Sequence, residues 1–287
     1  MRPKPTRNVL GVVVLMAGAL LLPVASADER LPIFDAHVHY SADAWAVFDA
    51  QAVLEKLAKA GVARALVSSS PDDGTLRLYR KDPSRVVPVL RPYHDDIGPG
   101  NWFQDARVPP YIEGRLESGV YGGIGEFHLS DAGAASTNEM VRVVRLAVAR
   151  DIPLHVHSGA GPVCALFALD PRLKILWAHA GMTEPPEVVR RMLDRYPRLW
   201  TEVSYRAAEI APGGRLDPAW RDVLLGHPDR FMIGTDTWIA ERWSRYDEIV
   251  EEHRRWLAQL PAAVAEAIAF RNAMGLFGAG EVAEFGE

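Results

Sequence analysis

Eight short apolar or β-branched runs recur along this chain, each separated from the next by a stretch with helical spacing. They are Ile33–His39, Ala63–Ser68, Val86–Tyr93, Gly123–His128, Pro153–Ser158, Lys174–His179, Trp200–Ser204 and Phe231–Asp236. Strands that alternate with helices pair in parallel, because a parallel pair needs a crossover long enough to hold a helix. Eight such units close a barrel, so the expected fold is α/β, a (β/α)8 TIM barrel. An open doubly wound sheet shows the same alternation and is the structural alternative. No linker, low-complexity tract or repeat interrupts the pattern, which makes residues 30–287 a single domain.

The helical stretches carry their own signals. Val47, Ala50, Leu54 and Leu57 repeat at the spacing of one buried helix face, and Met140, Val143, Val144, Ala147 and Val148 predict a second. Ser136 and Glu139 fit a capping box before that second helix. Asp217 followed by Pro218 fits an N-cap with proline at the first helical position.

Residues 1–27 stand outside the fold. Arg2, Lys4 and Arg7 precede an apolar run, Val9 to Val24, that ends at Ala25-Ser26-Ala27. This predicts a signal peptide cleaved after Ala27, and therefore export to the periplasm or the medium. The run is short of the roughly 20 residues a bilayer span needs, so no membrane association is expected after cleavage. Losing three positive charges and no negative ones takes the formal net charge from −5 to −8, which argues against a nucleic-acid partner. Cys164 is the only cysteine, so no intramolecular disulfide can form. It lies in the apolar stretch PVCALFAL and reads as a buried core thiol.

A barrel builds its active site from the C-terminal ends of its strands, and there the residues are histidines and acids. In DAHVHY the alternation of a strand points His37 and His39 to one side, where two imidazoles can bind one metal. Alone that spacing is equally the spacing of core or surface histidines. GIGEFH adds Glu126, PLHVHSG adds His157, WAHAG adds His179 and GTDTW adds Asp236, each at or near a further strand end. A charged acid in a buried strand is costly unless it is paired or ligates a cation, which applies to Glu126 and Asp236. His128, Arg206 and Trp238 lie at or just past strand ends and are candidate substrate contacts; Glu202 and Ser204 share the inward face of the seventh strand and are candidates to orient ligands.

At these residues the sequence resembles the amidohydrolase superfamily, in particular its amidohydrolase-related branch and the similar TatD-like metal hydrolases. The resemblance runs from about Ile33 to Phe277. It comprises the His-x-His of the first strand, the Gly-Glu of the fourth, the histidines closing the fifth and sixth, the Asp of the eighth, and a terminal AFRNAMGLFG similar to the branch's Asn-Ala-x-x-Leu-Phe ending. It implies that His37 and His39 bind the more buried metal, that His157 and His179 reach a second metal or the substrate, and that Asp236 contacts metal and takes the proton of the attacking water. Many members carry a carboxylated lysine on the fourth strand. This strand offers Glu126 and no lysine, which implies either one ion or a glutamate-bridged pair. His155 and His157 face the same way; His157 is nearer the rim and stands before Ser-Gly as the family ligand does, which leaves His155 one layer deeper, by roughly 6 to 7 Å.

The implied chemistry is activation of water by a divalent metal, zinc first among ions that suit imidazole and carboxylate ligands, with manganese, iron or cobalt as alternatives. With Asp236 as proton acceptor and the metal or His179 polarising a carbonyl, the expected reaction is hydrolysis of an ester, lactone or amide in a small molecule. The alternatives are a metal-dependent decarboxylase of the same branch, a TatD-like nuclease, and a ligand-binding barrel without turnover, against which the retained Asp236 counts. Substrate choice is expected in the loops Pro71–Thr75 and His94–Pro110. No sequence feature sets an oligomeric state.

Overall fold

A strand in a parallel barrel is buried on both faces, so it reads as a nearly continuous apolar run. A computed structural model of the chain describes Met1 and residues 30–278. Residues 2–29 and 279–287, with the body of the expected signal peptide and its cleavage point after Ala27, lie outside the described residues. The eight expected runs form eight parallel strands in sequence order: β1 Ile33–Val38, β2 Val62–Val67, β3 Val86–Leu90, β4 Gly123–His128, β5 Leu154–His157, β6 Ile175–Trp177, β7 Leu199–Glu202 and β8 Phe231–Met232. Helices fill the connections, and the seam between β8 and β1 is drawn together by a parallel bridge at Asp35 and Ile233, where Ala36 N donates to the Ile233 carbonyl at 2.8 Å. The fold is the expected single-domain (β/α)8 barrel.

Several observed strands stop short of their expected ends. The third ends at Leu90 and the eighth at Met232, because at the rim the chain leaves the ladder to aim side chains at the barrel axis. His179 (φ 55°) and Asp236 (φ 50°) both sit in the left-handed region just past their strands. At the seam, Asp35 is fully buried and gathers four donors: His37 N at 3.2 Å, Thr235 N at 3.0 Å, Thr235 Oγ1 at 2.7 Å and the Tyr246 hydroxyl at 2.7 Å. Burial nevertheless pushes its carboxyl up to about 6.

The helix expectations hold in part. The helix Asn138–Arg150 buries Met140, Val143, Val144 and Ala147 as expected. Its cap is Thr137 and not Ser136: Thr137 Oγ1 accepts from Met140 N at 3.3 Å, while Ser136 Oγ donates to the Ala132 carbonyl. Asp217 caps the helix Pro218–Gly226 as expected, accepting from Ala219 N and Trp220 N. Val47 does not belong to the face that buries Leu54 and Leu57; the helix Ala50–Lys59 starts after Asp49, whose side chain accepts from Ala52 N, and Val47 is exposed in the turn before it. Cys164 is half-buried against the core, less enclosed than expected, with Sγ 3.7 Å from Met192 Sδ.

One buried histidine braces β8 from behind. His253 Nε2 donates to the Gly234 carbonyl at 3.0 Å, and Trp256 Nε1 donates to His253 Nδ1 at 3.2 Å, so both ring nitrogens are engaged in the neutral form. Burial holds its pKa down at about 4. A histidine depressed in the folded state contributes stability that is present above its unfolded value and lost as pH falls toward the folded one. From 6.5 to about 4, at about 1.4 kcal/mol per unit, roughly 3 kcal/mol is at stake. Melting temperatures of wild type and His253→Gln between pH 7 and pH 4 check this: the variant starts lower and declines less steeply, and parallel curves would exclude the assignment.

Candidate metal centre

Strand alternation buries His37, within β1, and His39, one residue past its end, on the same side, as expected. His37 Nδ1 lies 2.9 Å from Glu202 Oε1, and His39 Nδ1 contacts the carbonyl of Ser68. A carboxylate and a carbonyl can only accept, so each Nδ1 carries a proton and each Nε2 presents a lone pair. Those two Nε2 atoms are 3.0 Å apart. Lone pairs at that distance repel unless positive charge, a proton or a metal ion, lies against them, and the two Nε2 atoms are placed as candidate ligands of one cation.

The other expected ligands converge on the same place. Asp236 Oδ1 lies 3.2 Å from His39 Nε2 and 3.6 Å from His37 Nε2, yet it is buried and makes no hydrogen bond among the described residues. Glu126 Oε2 lies 3.4 and 3.2 Å from the Nε2 atoms of His37 and His39, while its Oε1 faces His157 Nδ1 at 2.6 Å and His179 Nε2 at 3.6 Å. His157 Nδ1 and His179 Nε2 are themselves 3.2 Å apart. Glu126 thus stands between two groups of donors, one of His37, His39 and Asp236, the other of His157 and His179. The trio His37, His39 and Asp236, and the trio Glu126, His128 and His157, each bring ligand atoms within 4.8 Å of one another. A third such trio, His37, His179 and Glu202, uses the Nδ1 side of His37 and is better read as orienting contacts.

Electrostatics point the same way. Burial alone would push Glu126, Glu202 and Asp236 up, but the facing histidines, His37 first, hold all three below the usual carboxylate range. Burial would equally lower His37, and Asp236, Glu126 and Glu202 raise it well above its ordinary value. Two carboxylates facing the Nε2 atoms, with Glu202 behind on the Nδ1 side of His37, make a place that favours positive charge. The donor set, the partnerless Asp236 oxygen and the facing lone pairs fit a divalent cation, zinc among others.

A surrounding layer fixes these groups. Glu202 Oε1 accepts from His179 N at 2.7 Å as well as from His37, and Oε2 accepts from Ser204 N at 2.7 Å. Ser204 Oγ lies 2.7 Å from His179 Nδ1. Gly234 makes room for this, since a Cβ there would fall 2.1 Å from Glu202 Oε2 and 2.9 Å from His37 Cβ. His155 is buried one layer below, its ring edge-on to His37 at 4.6 Å and its Nε2 without a hydrogen-bond partner among the described residues; burial holds it well below its ordinary value, hence neutral.

Two residues unforeseen from sequence complete the layer. Arg91 donates through Nη2 to Glu126 Oε2 at 3.0 Å and through Nε to the Glu126 carbonyl at 3.1 Å. The Tyr93 hydroxyl accepts from His128 N at 2.8 Å and lies 2.8 Å from His128 Nδ1. Its own proton therefore goes to Nδ1, and neutral His128 carries its hydrogen on Nε2 as a donor. Burial keeps His128 near 4, so this neutral form persists at neutral pH.

A cavity of about 640 Å³ opens over the centre and is lined by Glu126, His128, His157, His179 and Asp236. Its sides include Arg91, Pro99, Met182, Tyr205, Arg206 and Trp238. Pro99 comes from the expected loop His94–Pro110, whereas Pro71–Thr75 contributes no lining residue. Trp238 stands exposed at the mouth. Arg206 lines the cavity but its donors are engaged: Nη1 bonds the carbonyls of His179 and Ala180, Nη2 that of Glu184, and Nε the Glu209 carboxylate at 3.0 Å. It braces the turn after β6.

Residues 34–279 match the family model described as amidohydrolase. No curated protein matches the chain. Solved structures with a similar fold include a TatD homologue of Escherichia coli, with 16% identity over 86% of this chain and 98% of that one and a TM-score of 0.62. A Pseudomonas putida protein named as a candidate 2-pyrone-4,6-dicarboxylic acid hydrolase has 15% identity over 87% and 98%, with a TM-score of 0.60. The 5-carboxyvanillate decarboxylase of Novosphingobium aromaticivorans, solved with manganese, has 12% identity over 88% and 97%, with a TM-score of 0.56. At these identities the likeness is one of fold.

The orienting role of Glu202 is open to direct measurement. Glu202→Gln keeps the shape but weakens the acceptor for His37 Nδ1–H, and metal affinity should fall about 10- to 100-fold, as loss of such outer partners typically does. Competition with a chromogenic chelator reads this, and unchanged affinity would exclude the role.

Proposed function

The chain belongs to the amidohydrolase family, and from that premise we propose that it is a metal-dependent hydrolase that directs water onto the carbonyl carbon of an ester, lactone or amide in a small molecule. The observation that carries the reading is Asp236: a buried carboxylate, held below the usual range and therefore ionised at neutral pH, whose Oδ1 faces the candidate ligand histidines with no hydrogen bond among the described residues. His37, His39, Asp236 and Glu126 would hold one ion, and Glu126, His157 and His179 a second. A divalent metal bound there supplies Lewis acidity and lowers the pKa of water from about 15.7 toward 7.

The chain's own groups do the rest. Asp236 accepts the proton that water gives up on attack, general-base work worth typically 10²- to 10⁴-fold. His128 offers its Nε2–H from the cavity wall to the substrate's carbonyl oxygen or leaving group, held in that tautomer by Tyr93. Glu202 and Ser204 keep His37 and His179 in place. We place the mature enzyme, residues 28–287, in the periplasm or outside the cell, on the pattern of basic residues, apolar run and Ala25-Ser26-Ala27. Its acidic mature chain favours a small-molecule substrate over nucleic acid.

Purified mature protein should carry one to two equivalents of divalent metal, zinc first, and lose activity on chelation; elemental analysis and re-addition check this, and full activity in metal-free protein would overturn the reading. Release of carbon dioxide from a carboxylic acid, with no water taken up, would replace hydrolysis by decarboxylation.

Asp236→Asn should keep metal at His37 and His39 while turnover falls by about 10²- to 10⁴-fold. If melting temperature drops but kcat stays within about threefold of wild type, Asp236 is a structural residue and not the base.

A further inference from the structure

We propose that Met182, Tyr205 and Trp238 form a recognition wall for an uncharged, flat ring system, so that the substrates are aryl or similarly planar neutral carbonyl compounds and not polycarboxylates. This rests on the hydrolase reading and names the substrate class for the same site. Large apolar side chains exposed singly on a surface need no explanation. Here three of them, Met182 at 36%, Tyr205 at 49% and Trp238 at 53% exposure, line the cavity that also holds Glu126, His157, His179 and Asp236.

The wall is fixed in place. Trp238 Nε1 donates to the Tyr205 hydroxyl at 2.5 Å, and the Arg242 guanidinium, which bonds the Thr235 carbonyl, packs 3.9 Å from the centre of the Tyr205 ring. The Tyr205 ring stands edge-on to His179 at 5.9 Å, so the wall meets the metal centre directly. Met182 (φ 66°) and Tyr205 (φ 61°) hold left-handed backbone conformations that bulky residues adopt only under constraint. Rigid aromatic faces of this kind bind flat partners by stacking and apolar contact with little side-chain ordering.

Charge completes the case. The cationic side chains lining the cavity are Arg91 and Arg206. Arg91 holds Glu126, and Arg206 is engaged by three carbonyls and Glu209. A carboxylate on the far end of a substrate would lie against Trp238, Tyr205, Met182 and the Glu209 carboxylate, and among the described residues the two arginines lining the cavity already hold Glu126 and Glu209. A volume of about 640 Å³ accommodates a bicyclic ester. In its hydrolysis the acyl carbon gains the hydroxyl of water as its bond to the aryl oxygen breaks, and the leaving phenolate takes the other proton by way of Asp236.

Binding and turnover test this separately. Ligand fluorescence measures affinity for 2-naphthol, uncharged at pH 7, against 6-hydroxy-2-naphthoate, while kcat and KM are measured for the acetate esters of both. The neutral ligand should bind at least tenfold tighter. Trp238→Ala should weaken it about tenfold and raise KM for 2-naphthyl acetate to match, with kcat within about threefold, and Trp238→Phe, which keeps a flat ring, should restore most of both. Equal or tighter binding of the naphthoate, or 2-naphthol affinity unmoved in both Trp238→Ala and Tyr205→Ala, would overturn the proposal. If the neutral ligand binds as expected and the metal-loaded enzyme cleaves neither ester, the wall stands as a ring-binding site and the hydrolase reading falls.

Discussion

The Nε2 atoms of His37 and His39, 3.0 Å apart with each ring's proton committed to the far side, set a condition that much of the structure is arranged to meet. Two lone pairs so close are tolerable only beside positive charge. The carboxylates of Glu126 and Asp236 reinforce that demand from the front, and Glu202 enforces it from behind by fixing the His37 tautomer. Glu202 reaches His37 only because position 234 is glycine. The barrel seam serves the same end: Asp35 gathers Thr235 onto β1, Thr237 Oγ1 accepts from His39 N and donates to its carbonyl, and Asp236 N bonds the His37 carbonyl at 2.6 Å. The ligand pair and the proposed base, some 200 residues apart in sequence, are thus held by the contacts that close the barrel.

What the sequence made legible follows from two short-range regularities. Strand period two puts His37 and His39 on one side, and the rule that strand ends build the site picks out Glu126, His157, His179 and Asp236. All six meet in the structure, because a barrel converts position along each strand into height on one axis. His155 falls one layer below His157 for the same reason.

What stayed hidden depends on partners that no local pattern encodes. Arg91 and Tyr93 were read as strand; β3 ends at Leu90, and beyond it both turn to Glu126 and His128. Arg206 lines the cavity as a candidate substrate contact, and what its sequence position does not tell is that its donors are engaged by carbonyls of the turn after β6 and by Glu209. Val47 matched the apolar period of a helix that had not yet begun, since periodicity fixes a face and the cap fixes the start. Thr137 displaced Ser136 for a related reason, as adjacent residues can both offer a hydroxyl and the backbone decides which reaches the free N–H.

Backbone strain links the floor of the cavity to its wall. Among the described residues seven non-glycine residues have positive φ, and five of them, His179, Ala180, Met182, Tyr205 and Asp236, follow β6, β7 or β8. Each costs on the order of 1 kcal/mol or more, and such residues persist only where the surroundings over-determine them. Here the constraints are visible: Arg206 bonds the carbonyls of His179 and Ala180, Glu202 holds His179 N, and Arg242 supports Tyr205. A chain leaving a barrel strand ordinarily runs outward to its helix. Turning it sharply at these points sends imidazole and carboxylate groups onto the axis and leaves Met182 and Tyr205 facing across the mouth. The same sharp turns therefore place both the groups suited to reaction and the surface suited to recognition, so a ring bound against that wall would sit at a fixed height above the candidate metal centre.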